Sequence, residues 1–246
     1  MPVYNEARLL MRVFERVWDA RLPDHCDRRI ILVDDGSTDG TTDVLRQLAA
    51  RNLPGVVVLY HVHNAGKGAA LRTGIETAIR PEGVKPPADV VLIHDADLEY
   101  DPADHAALVA PIMEGKADAV IGSRYTAAVR HAQPLWHTSA NRFLTRLSNL
   151  LSNLDLTDME CGLKAFTRAV AERLALQEQR FGVEPEIVAK VARMRLPAAD
   201  NATRKARIFQ VGVSYAGRDY SEGKKIGFKD GLAAIWCIVK YNVLSR

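Results

Sequence analysis

Four short apolar runs, each followed at once by polar residues, constrain the fold of this chain more than any other feature. Segments with the periodicity of a helix separate the runs. Buried strands that alternate with helices predict an α/β domain with a largely parallel sheet. The runs occupy residues 29–33, 56–60, 90–94 and 117–121.

Helices are expected over residues 66–79 and 139–153, and a further helix after the first run is expected to be capped by Ser37, Thr38 or Asp39. Residues 1–4 resemble the end of a strand whose first residues are missing, so a short first strand is expected.

Polar residues at the ends of the runs predict where a ligand binds. In open α/β sheets, ligands bind at the carboxyl ends of the strands. One such loop is ordinary capping chemistry, but four that converge on one edge indicate a site. The residues are Asp34, Asp35, Asn64, Asp95, Asp97, Ser123 and Arg124.

Length and composition indicate a packed single domain. The 246 residues are 48% hydrophobic and 26% charged, which argues against disorder, collagen-like repeats and a bulk nucleic-acid binder. Three cysteines without a CxxC pair favour a reducing compartment. No signal peptide is recognisable, and the longest strongly apolar stretch, residues 231–239, is well short of the roughly 20 residues that span a bilayer.

The triplet Asp95-Ala96-Asp97, followed by Glu99, predicts a metal site. On an extended segment, alternate carboxylates lie on one side. Mg²⁺ uses one or two carboxylates together with substrate phosphates. A plain surface turn and an aspartate-nucleophile phosphatase remain alternatives, although Glu99 stands where that phosphatase motif usually has Thr or Val.

Two further segments are compatible with anions. Asn64 to Gly68 opens a helix, whose N-terminus together with Lys67 favours an anion. It is neither a P-loop nor a dinucleotide fingerprint, and a simple tight turn is equally compatible. Arg142 and Arg146 lie four residues apart on one helix face, which is either solvated or anion-binding.

Charge is unevenly distributed, with +8 in residues 190–246 and −5 in the remainder. A basic loop that leads into an apolar helix with Trp236 and Tyr241 is typical of a helix at a membrane interface. A terminal helix docked on the core is the alternative. Nucleic acid is not expected as a partner, because no nucleic-acid motif accompanies the charge.

Taken together, the motifs PVYNEA, VDDGSTDGT, NAGKGAALRTG, DADLEYDP and GSRY resemble the inverting family-two glycosyltransferases with the GT-A fold. The later motifs LTDMECGLKAF, FGVEPEI and YAGRDYSEGKKIGFKDG resemble the polyprenol-phosphate sugar transferases, the group of the dolichol-phosphate mannose and glucose synthases. The likeness covers nearly the whole chain. It implies an α/β GT-A fold with a mixed, mostly parallel sheet, flanking helices and a C-terminal amphipathic interface helix.

The resemblance also divides the single domain into a nucleotide-sugar and metal half (1–125), an acceptor half (126–225) and the C-terminal helix (226–246). It implies a nucleotide-sugar donor (GDP-mannose or UDP-glucose), Mg²⁺ or Mn²⁺, and a polyprenyl phosphate acceptor. The expected place is the cytoplasmic membrane face, held peripherally, and a separate membrane-anchoring subunit is left open.

The site residues that the resemblance implies fall into four groups. The nucleotide-sugar group is Pro2, Tyr4, Glu6, Asp35, Lys67, Gly68, Asp95 and Ala96. The metal group is Asp95, Asp97 and Glu99. The catalytic group is Asp97, Arg124, Arg218, Lys224 and Lys225. The acceptor-phosphate group is Arg130, Arg142 and Arg146, because the positions that hold Arg and Ser in mannose synthases hold Gln133 and His137 here.

Three rival functions remain open, and one of them is a catalytically silent nucleotide-binding module. A transferase with a soluble or glycan hydroxyl acceptor would need a carboxylate base, for which Asp158, Glu160, Glu184 and Glu186 are available. A sugar-nucleotide pyrophosphorylase would need a glycine-rich N-terminal loop, which this sequence lacks. Residues 177–181 read QEQRF, close to the QxxRW of processive polysaccharide synthases, but Phe replaces Trp.

Overall fold

The computed structural model describes residues 1–80, 86–127, 135–180, 182–198, 202–217 and 228–244. The strands are β1 (Pro2–Val3), β2 (Ile30–Asp34), β3 (Val56–Tyr60), β4 (Val90–Ile93), β5 (Ala119–Ser123), β6 (Lys164–Thr167), β7 (Arg195–Pro197), β8 (Thr203–Lys205) and β9 (Ile208–Gly212). The α-helices are α1 (Leu10–Asp19), α2 (Thr41–Ala50), α3 (Lys67–Ile79), α4 (His105–Met113), α5 (Leu135–Ser152), α6 (Arg168–Ala171), α7 (Val183–Arg193) and α8 (Phe228–Val239). A 3₁₀ turn (Pro102–Asp104) precedes α4, and a π-helical turn (Lys240–Leu244) follows α8.

The strands form a mixed sheet in two hydrogen-bonded groups. In the first group, β1, β2 and β3 are parallel in that order. In the second group the order is β4-β6-β5-β9, where β6 runs antiparallel to both neighbours and β5 runs parallel to β9. A small antiparallel hairpin of β7 and β8 stands apart. The predicted α/β fold with a mixed, mostly parallel sheet is confirmed.

The short first strand is confirmed as well. Only Pro2 and Val3 pair with β2. Beyond them a narrow cavity of about 100 Å³ lies between the two groups, lined by Ile31 of β2, residues 90–93 of β4 and apolar side chains of α3.

Helices cover both groups of strands with apolar side chains. α1 and α2 pack Leu10, Phe14 and Leu45 against β1 and β2, while α3 and α7 pack Leu71 and Ile187 against β4 and β6. Each fully buried side chain of this size contributes about 1.5–3 kcal/mol to folding. This packing holds the strands in place, and with them the carboxyl ends from which the polar loops emerge.

Two elements have bounds that differ from the sequence-based ones by two residues or more. The fourth strand is Ala119–Ser123 rather than 117–121. Asp118, just before it, bonds through its backbone to Arg207 and Thr167 and through its carboxylate to Arg204 and Arg207. The helix predicted over 139–153 is α5, which begins at Leu135 and ends at Ser152.

The cap of α2 is Gly40, which has no side chain to donate to or accept from the helix. The residues predicted to cap this helix precede it. Asp39 nevertheless accepts the N–H of Thr41 at 3.1 Å from one position earlier, so it still satisfies a donor of the first turn.

Candidate active site

The predicted polar loops do emerge at one edge of the sheet. Asp34 ends β2, Asp95 follows β4 by two residues, and Arg124 comes directly after β5. Most of these side chains are bonded to one another or to neighbouring loops. The edge is therefore a connected polar network, assembled from segments far apart in the chain.

Asp35 holds the loop after β3. Its Oδ1 accepts the N–H of Ala65 at 3.0 Å and lies 2.8 Å from His61 Nδ1, and its Oδ2 accepts the N–H of Gly66 at 2.7 Å. Asp34, the residue before it, contacts α2 instead and accepts a hydrogen bond from the Thr42 hydroxyl at 2.6 Å. The hydrogen bond from a nucleotide base to Asp35 remains a prediction.

The N-terminal residues predicted to line the nucleotide lie beside Asp35. Val3 O accepts the N–H of Asp35 at 2.8 Å. Asn5, in the left-handed region with φ of 54°, exchanges hydrogen bonds with the loop before α2 by accepting from Thr38 N at 2.8 Å and donating its own N–H to Ser37 Oγ at 3.0 Å. Pro2, Tyr4 and Glu6 are thus brought next to the β2 carboxyl end.

Lys67 bridges two carboxylates at the centre of the edge. Its Nζ lies 2.8 Å from Asp95 Oδ2 and 2.9 Å from Glu184 Oε1. The second oxygen of Glu184 contacts the fully buried Lys164, which also donates to the carbonyl of Cys161. Burial alone would lower the pKa of Lys67, but Asp95 and Glu184 outweigh it and hold that pKa above its ordinary value. Lys67 therefore stays charged.

Lys164 and Glu184 were not assigned to this pair by sequence. Lys164 stands within LTDMECGLKAF and Glu184 within FGVEPEI, both quoted for the resemblance, but nothing in the spacing of 20 residues shows that they meet.

The predicted metal residues form a turn, so the expectation of an extended segment is wrong. Leu98 adopts φ of 60°, a conformation that costs a non-glycine residue roughly 1–3 kcal/mol. The turn lets Asp97 accept the N–H of Glu99 at 3.1 Å, while Glu99 accepts the hydroxyl of Tyr215 at 2.8 Å. Ala96 is buried between Asp95 and Asp97.

Within the described residues, no group of three or more His, Cys, Asp or Glu side chains stands ready to hold a metal ion. The donor set of Asp97 and Glu99 does suit a hard cation that takes its other oxygens from a bound diphosphate. Asp95 is engaged by Lys67, so its part in a metal site remains a prediction.

Arg124 is tied to Asp158 in a fork-like pair. Arg124 Nε and Nη2 donate to Asp158 Oδ2 and Oδ1 at 2.7 and 2.9 Å, and the Arg124 N–H adds a third bond at 3.0 Å. Asn141 of α5 donates to the same carboxylate at 2.9 Å. Burial would raise the pKa of Asp158, but Arg124 outweighs it and lowers that pKa. The guanidinium also lies 5.2 Å from the ring of Tyr215.

Glu160 lies near both buried ion pairs, Lys164 with Glu184 and Arg124 with Asp158. Burial, followed by the nearby Glu184, raises the pKa of Glu160 to about 7, although Lys164 and Arg124 oppose the shift. Its Oε1 is buried without a hydrogen-bond partner among the described residues. Of the four carboxylates considered as a base, Asp158, Glu184 and Glu186 each have a basic partner within 3 Å.

The glycines at the start of α3, Gly66 at its N-cap and Gly68 in its first turn, allow close contact with another segment of the chain. Gly68 N–H donates to the carbonyl of Gln179 at 2.7 Å. A Cβ on Gly68 would lie 1.9 Å from Glu178 O, and one on Gly66 would lie 2.1 Å from Gln179 O. The anion site predicted at this helix N-terminus is therefore not open in this structure, and a nucleotide role for Gly68 remains a prediction.

The basic residues predicted to bind the acceptor are only partly described. Arg142 and Arg146 are exposed on α5, and the Arg142 guanidinium lies 5.8 Å from the ring of Tyr125, next to Arg124. Arg142 thus borders the site, and Arg146 is one turn further along. The remaining basic residues of these groups, Arg130, Arg218, Lys224 and Lys225, lie outside the described residues.

The mixed sheet, with its carboxylate turn after β4 and its buried Lys and Arg pairs at the carboxyl edge, has the architecture of a glycosyltransferase. The family model for glycosyl transferase family 2 matches residues 1–175, and the chain belongs to that family. The resemblance to family two is thereby confirmed. Membership argues against the pyrophosphorylase alternative.

Several relatives have names that include a polyprenyl phosphate. The UDP-N-acetylglucosamine–dolichyl-phosphate N-acetylglucosaminyltransferase of Methanococcus voltae is 28% identical over 212 residues, which are 80% of this chain and 80% of that protein. The undecaprenyl-phosphate 4-deoxy-4-formamido-L-arabinose transferase of Aeromonas hydrophila is 28% identical over 230 residues, which are 91% of this chain but 61% of that protein. The chain thus spans less than two thirds of some relatives.

Among solved structures, the glucosyl-3-phosphoglycerate synthase of Mycobacterium tuberculosis in complex with Mn²⁺, UDP and phosphoglyceric acid superimposes with a TM-score of 0.65. The match covers 98% of this chain and 76% of that chain at 19% identity. Identity this low establishes the fold alone. In the described part of the chain, no helix is long and apolar enough to cross a membrane.

Proposed function

We propose that the protein is an inverting glycosyltransferase that moves a hexose from GDP-mannose or UDP-glucose to a polyprenyl phosphate. One observation carries the choice of acceptor. The helix that borders the site, α5, exposes Phe143 and Leu150 to solvent together with Arg142 and Arg146. A soluble acceptor needs no such surface, whereas a lipid phosphate needs both an apolar support and cations.

The C-terminal helix extends this surface. α8 packs against α5 and exposes Leu232 and Trp236, and the following turn exposes Val243 and Leu244. Together with the net positive charge of the C-terminal segment, this supports peripheral attachment to an anionic cytoplasmic membrane face. The names of the dolichyl- and undecaprenyl-phosphate relatives support the same acceptor class.

The proposed reaction depends more on aligning the donor with the lipid phosphate than on a general base that deprotonates the acceptor. An oxygen of the lipid phosphate attacks the anomeric carbon on the face opposite the leaving group. The bond from that carbon to the nucleoside diphosphate breaks, and the configuration inverts. A phosphate monoester has a second pKa of about 6, so it is already ionised near neutral pH.

The residues at the edge supply this alignment. Lys67, kept charged by Asp95 and Glu184, places a cation where the diphosphate is expected, and Arg124 is held rigidly by Asp158. Asp97 and Glu99 would hold Mg²⁺ or Mn²⁺, which when bound neutralises charge on the leaving diphosphate. Arg142, at the border between α5 and the site, would meet the lipid phosphate.

The proposal is tested by incubating the purified protein with radiolabelled donor, Mn²⁺ and vesicles that contain undecaprenyl phosphate. Label is expected in the chloroform phase, and water-soluble product would contradict the proposal. Asp97→Asn should abolish transfer, whereas Asp43→Asn, which removes a surface carboxylate paired with Arg46 on α2, should leave it unchanged.

The donor is identified by a thermal-shift screen of GDP- and UDP-sugars with Mn²⁺, because a ligand present at 100 times its Kd stabilises the folded state by about 2.7 kcal/mol.

Glu160 supports one second candidate, transfer to a hydroxyl. A carboxyl whose pKa is about 7 suits a general base at neutral pH. With a hydroxyl acceptor, Glu160→Gln should lower kcat by about 10²-fold or more. With a phosphate acceptor, the same variant should retain kcat within a few-fold.

A further inference from the structure

Residues 177–180, which we call the strap, lie between the glycine turn at the start of α3 (residues 66–68) and the π-helical turn that follows α8. On one side the strap backbone lies against the turn, where Gln179 O accepts the Gly68 N–H at 2.7 Å. The space that side chains at Gly66 and Gly68 would need is filled by the carbonyls of Gln179 and Glu178. The turn cannot shift towards the strap without a clash.

On its other side, the strap is held by the π-helical turn that follows α8. Glu178 Oε1 accepts the Tyr241 hydroxyl at 2.7 Å and the Lys240 ammonium at 2.8 Å. Tyr241 is only 2% exposed and the Glu178 side chain is 24% exposed, so their bond is partly shielded from water. A shielded hydrogen bond to a charged group is among the stronger side-chain contacts.

A buried carboxylate of α7 also holds the strap backbone. Glu186, which is fully buried, accepts the N–H groups of Gln177 and Glu178 at 2.7 and 2.8 Å. Glu186 is in turn bound by Lys190 at 2.6 Å, and the Lys190 ammonium lies 4.9 Å from the Tyr241 ring. Helix α7 and the C-terminal turn therefore hold the strap together.

Lys67 stands between the two glycines that the strap contacts, and its ammonium bridges Asp95 and Glu184. The placement of this cation thus depends on the strap. We propose that Glu178 is a positioning residue: by fastening the strap to Tyr241 and Lys240, it holds the glycine turn and Lys67 in the geometry that receives the donor diphosphate. The inference rests on the proposed function only in taking the donor to be a nucleotide sugar.

The test compares Glu178→Gln, Tyr241→Phe and the double variant, all of which keep the shape of the side chains. The Kd of UDP and GDP with Mn²⁺ is measured by calorimetry, and the KM of donor and acceptor by transfer assay. We expect each single variant to raise the Kd of the nucleotide that the wild type binds by about five- to tenfold. The double variant should be no worse than Glu178→Gln, because Glu178→Gln weakens both the Tyr241 and the Lys240 contacts and so already includes the contact that Tyr241→Phe removes.

The KM of the lipid acceptor should stay unchanged, which separates positioning of the donor loop from general loosening of the fold. Glu114→Gln is the matched control, since Glu114 pairs only with Lys116 at the surface among its described ion pairs. Equal nucleotide affinity in wild type and variants, or equal rises in donor and acceptor KM, would overturn the role of Glu178. A wild type that binds neither nucleotide would instead refute the proposed function.

Discussion

Breaking the pair between Arg124 and Asp158 should destabilise the protein strongly. In Asp158→Asn the carboxylate charge is lost while the shape is kept. Asp158 is fully buried, and the Arg124 side chain is 14% exposed, so the guanidinium would remain without a counter-charge in a poorly solvated place. Removing one partner of a buried ion pair costs about 3–5 kcal/mol. That loss is a large fraction of the 5–15 kcal/mol by which a domain is typically stable.

The assay is urea unfolding followed by fluorescence and circular dichroism, with the free energy of unfolding taken by linear extrapolation. Arg124→Met and the double variant complete a cycle. The double variant should be more stable than Asp158→Asn, because it leaves no unpaired charge. A loss below 1 kcal/mol in Asp158→Asn, with equal m-values, would refute this reasoning.

The pair also predicts a dependence on pH. The pKa of Asp158 is lower in the folded protein than in the unfolded chain, so the unfolded chain binds the proton more readily as pH falls. The stabilisation from Asp158 is therefore present above its ordinary pKa of 3.8 and is lost as pH falls through the lower folded pKa. In Asp158→Asn this part of the acid sensitivity should be absent.

Three further variants test other parts of the account. Gly68→Ala, whose Cβ would lie 1.9 Å from Glu178 O, should weaken donor binding and lower the Tm, whereas Gly231→Ala, where a Cβ meets nothing within 4 Å, should do neither. Glu160→Gln should gain stability relative to wild type as pH rises from 5 to about 7, since folded wild type keeps Glu160 protonated up to its raised pKa of about 7, whereas the unfolded chain already ionises it above its ordinary pKa of 4.5, which favours unfolding; parallel Tm curves would contradict this. Trp236→Ser should lower the partition constant onto anionic vesicles, measured by sedimentation, by about 10- to 150-fold, as expected from losing about 1.5–3 kcal/mol of apolar burial, while Trp18→Ser on α1 should not.

The sequence predicted the features that local pattern controls. The apolar runs became β2, β3, β4 and β5, and the polar residues after them do emerge at one edge. The periodicity of residues 66–79 is likewise found as α3. Strand ends and helix faces are encoded in neighbouring residues, so they can be recognised without knowing the tertiary structure.

Contacts between distant segments could not be predicted in this way. Strand β6, inserted antiparallel between β4 and β5, places Lys164 in the core beside Glu184. The glycines at the start of α3 suggested a phosphate site, but it is the strap, more than 100 residues away in the sequence, that fills the space beside them. A glycine in the sequence indicates that another group approaches the backbone closely, but only the tertiary structure identifies that group.

In the proposed reaction the acceptor atom is an oxygen of a lipid phosphate. NMR of the chloroform-soluble product made from ¹³C-labelled donor and undecaprenyl phosphate tests this directly. We expect coupling between the anomeric carbon and a single phosphorus, with the anomeric configuration opposite to that of the donor. A sugar joined through a hydroxyl oxygen without phosphorus coupling, or retained configuration, would contradict it.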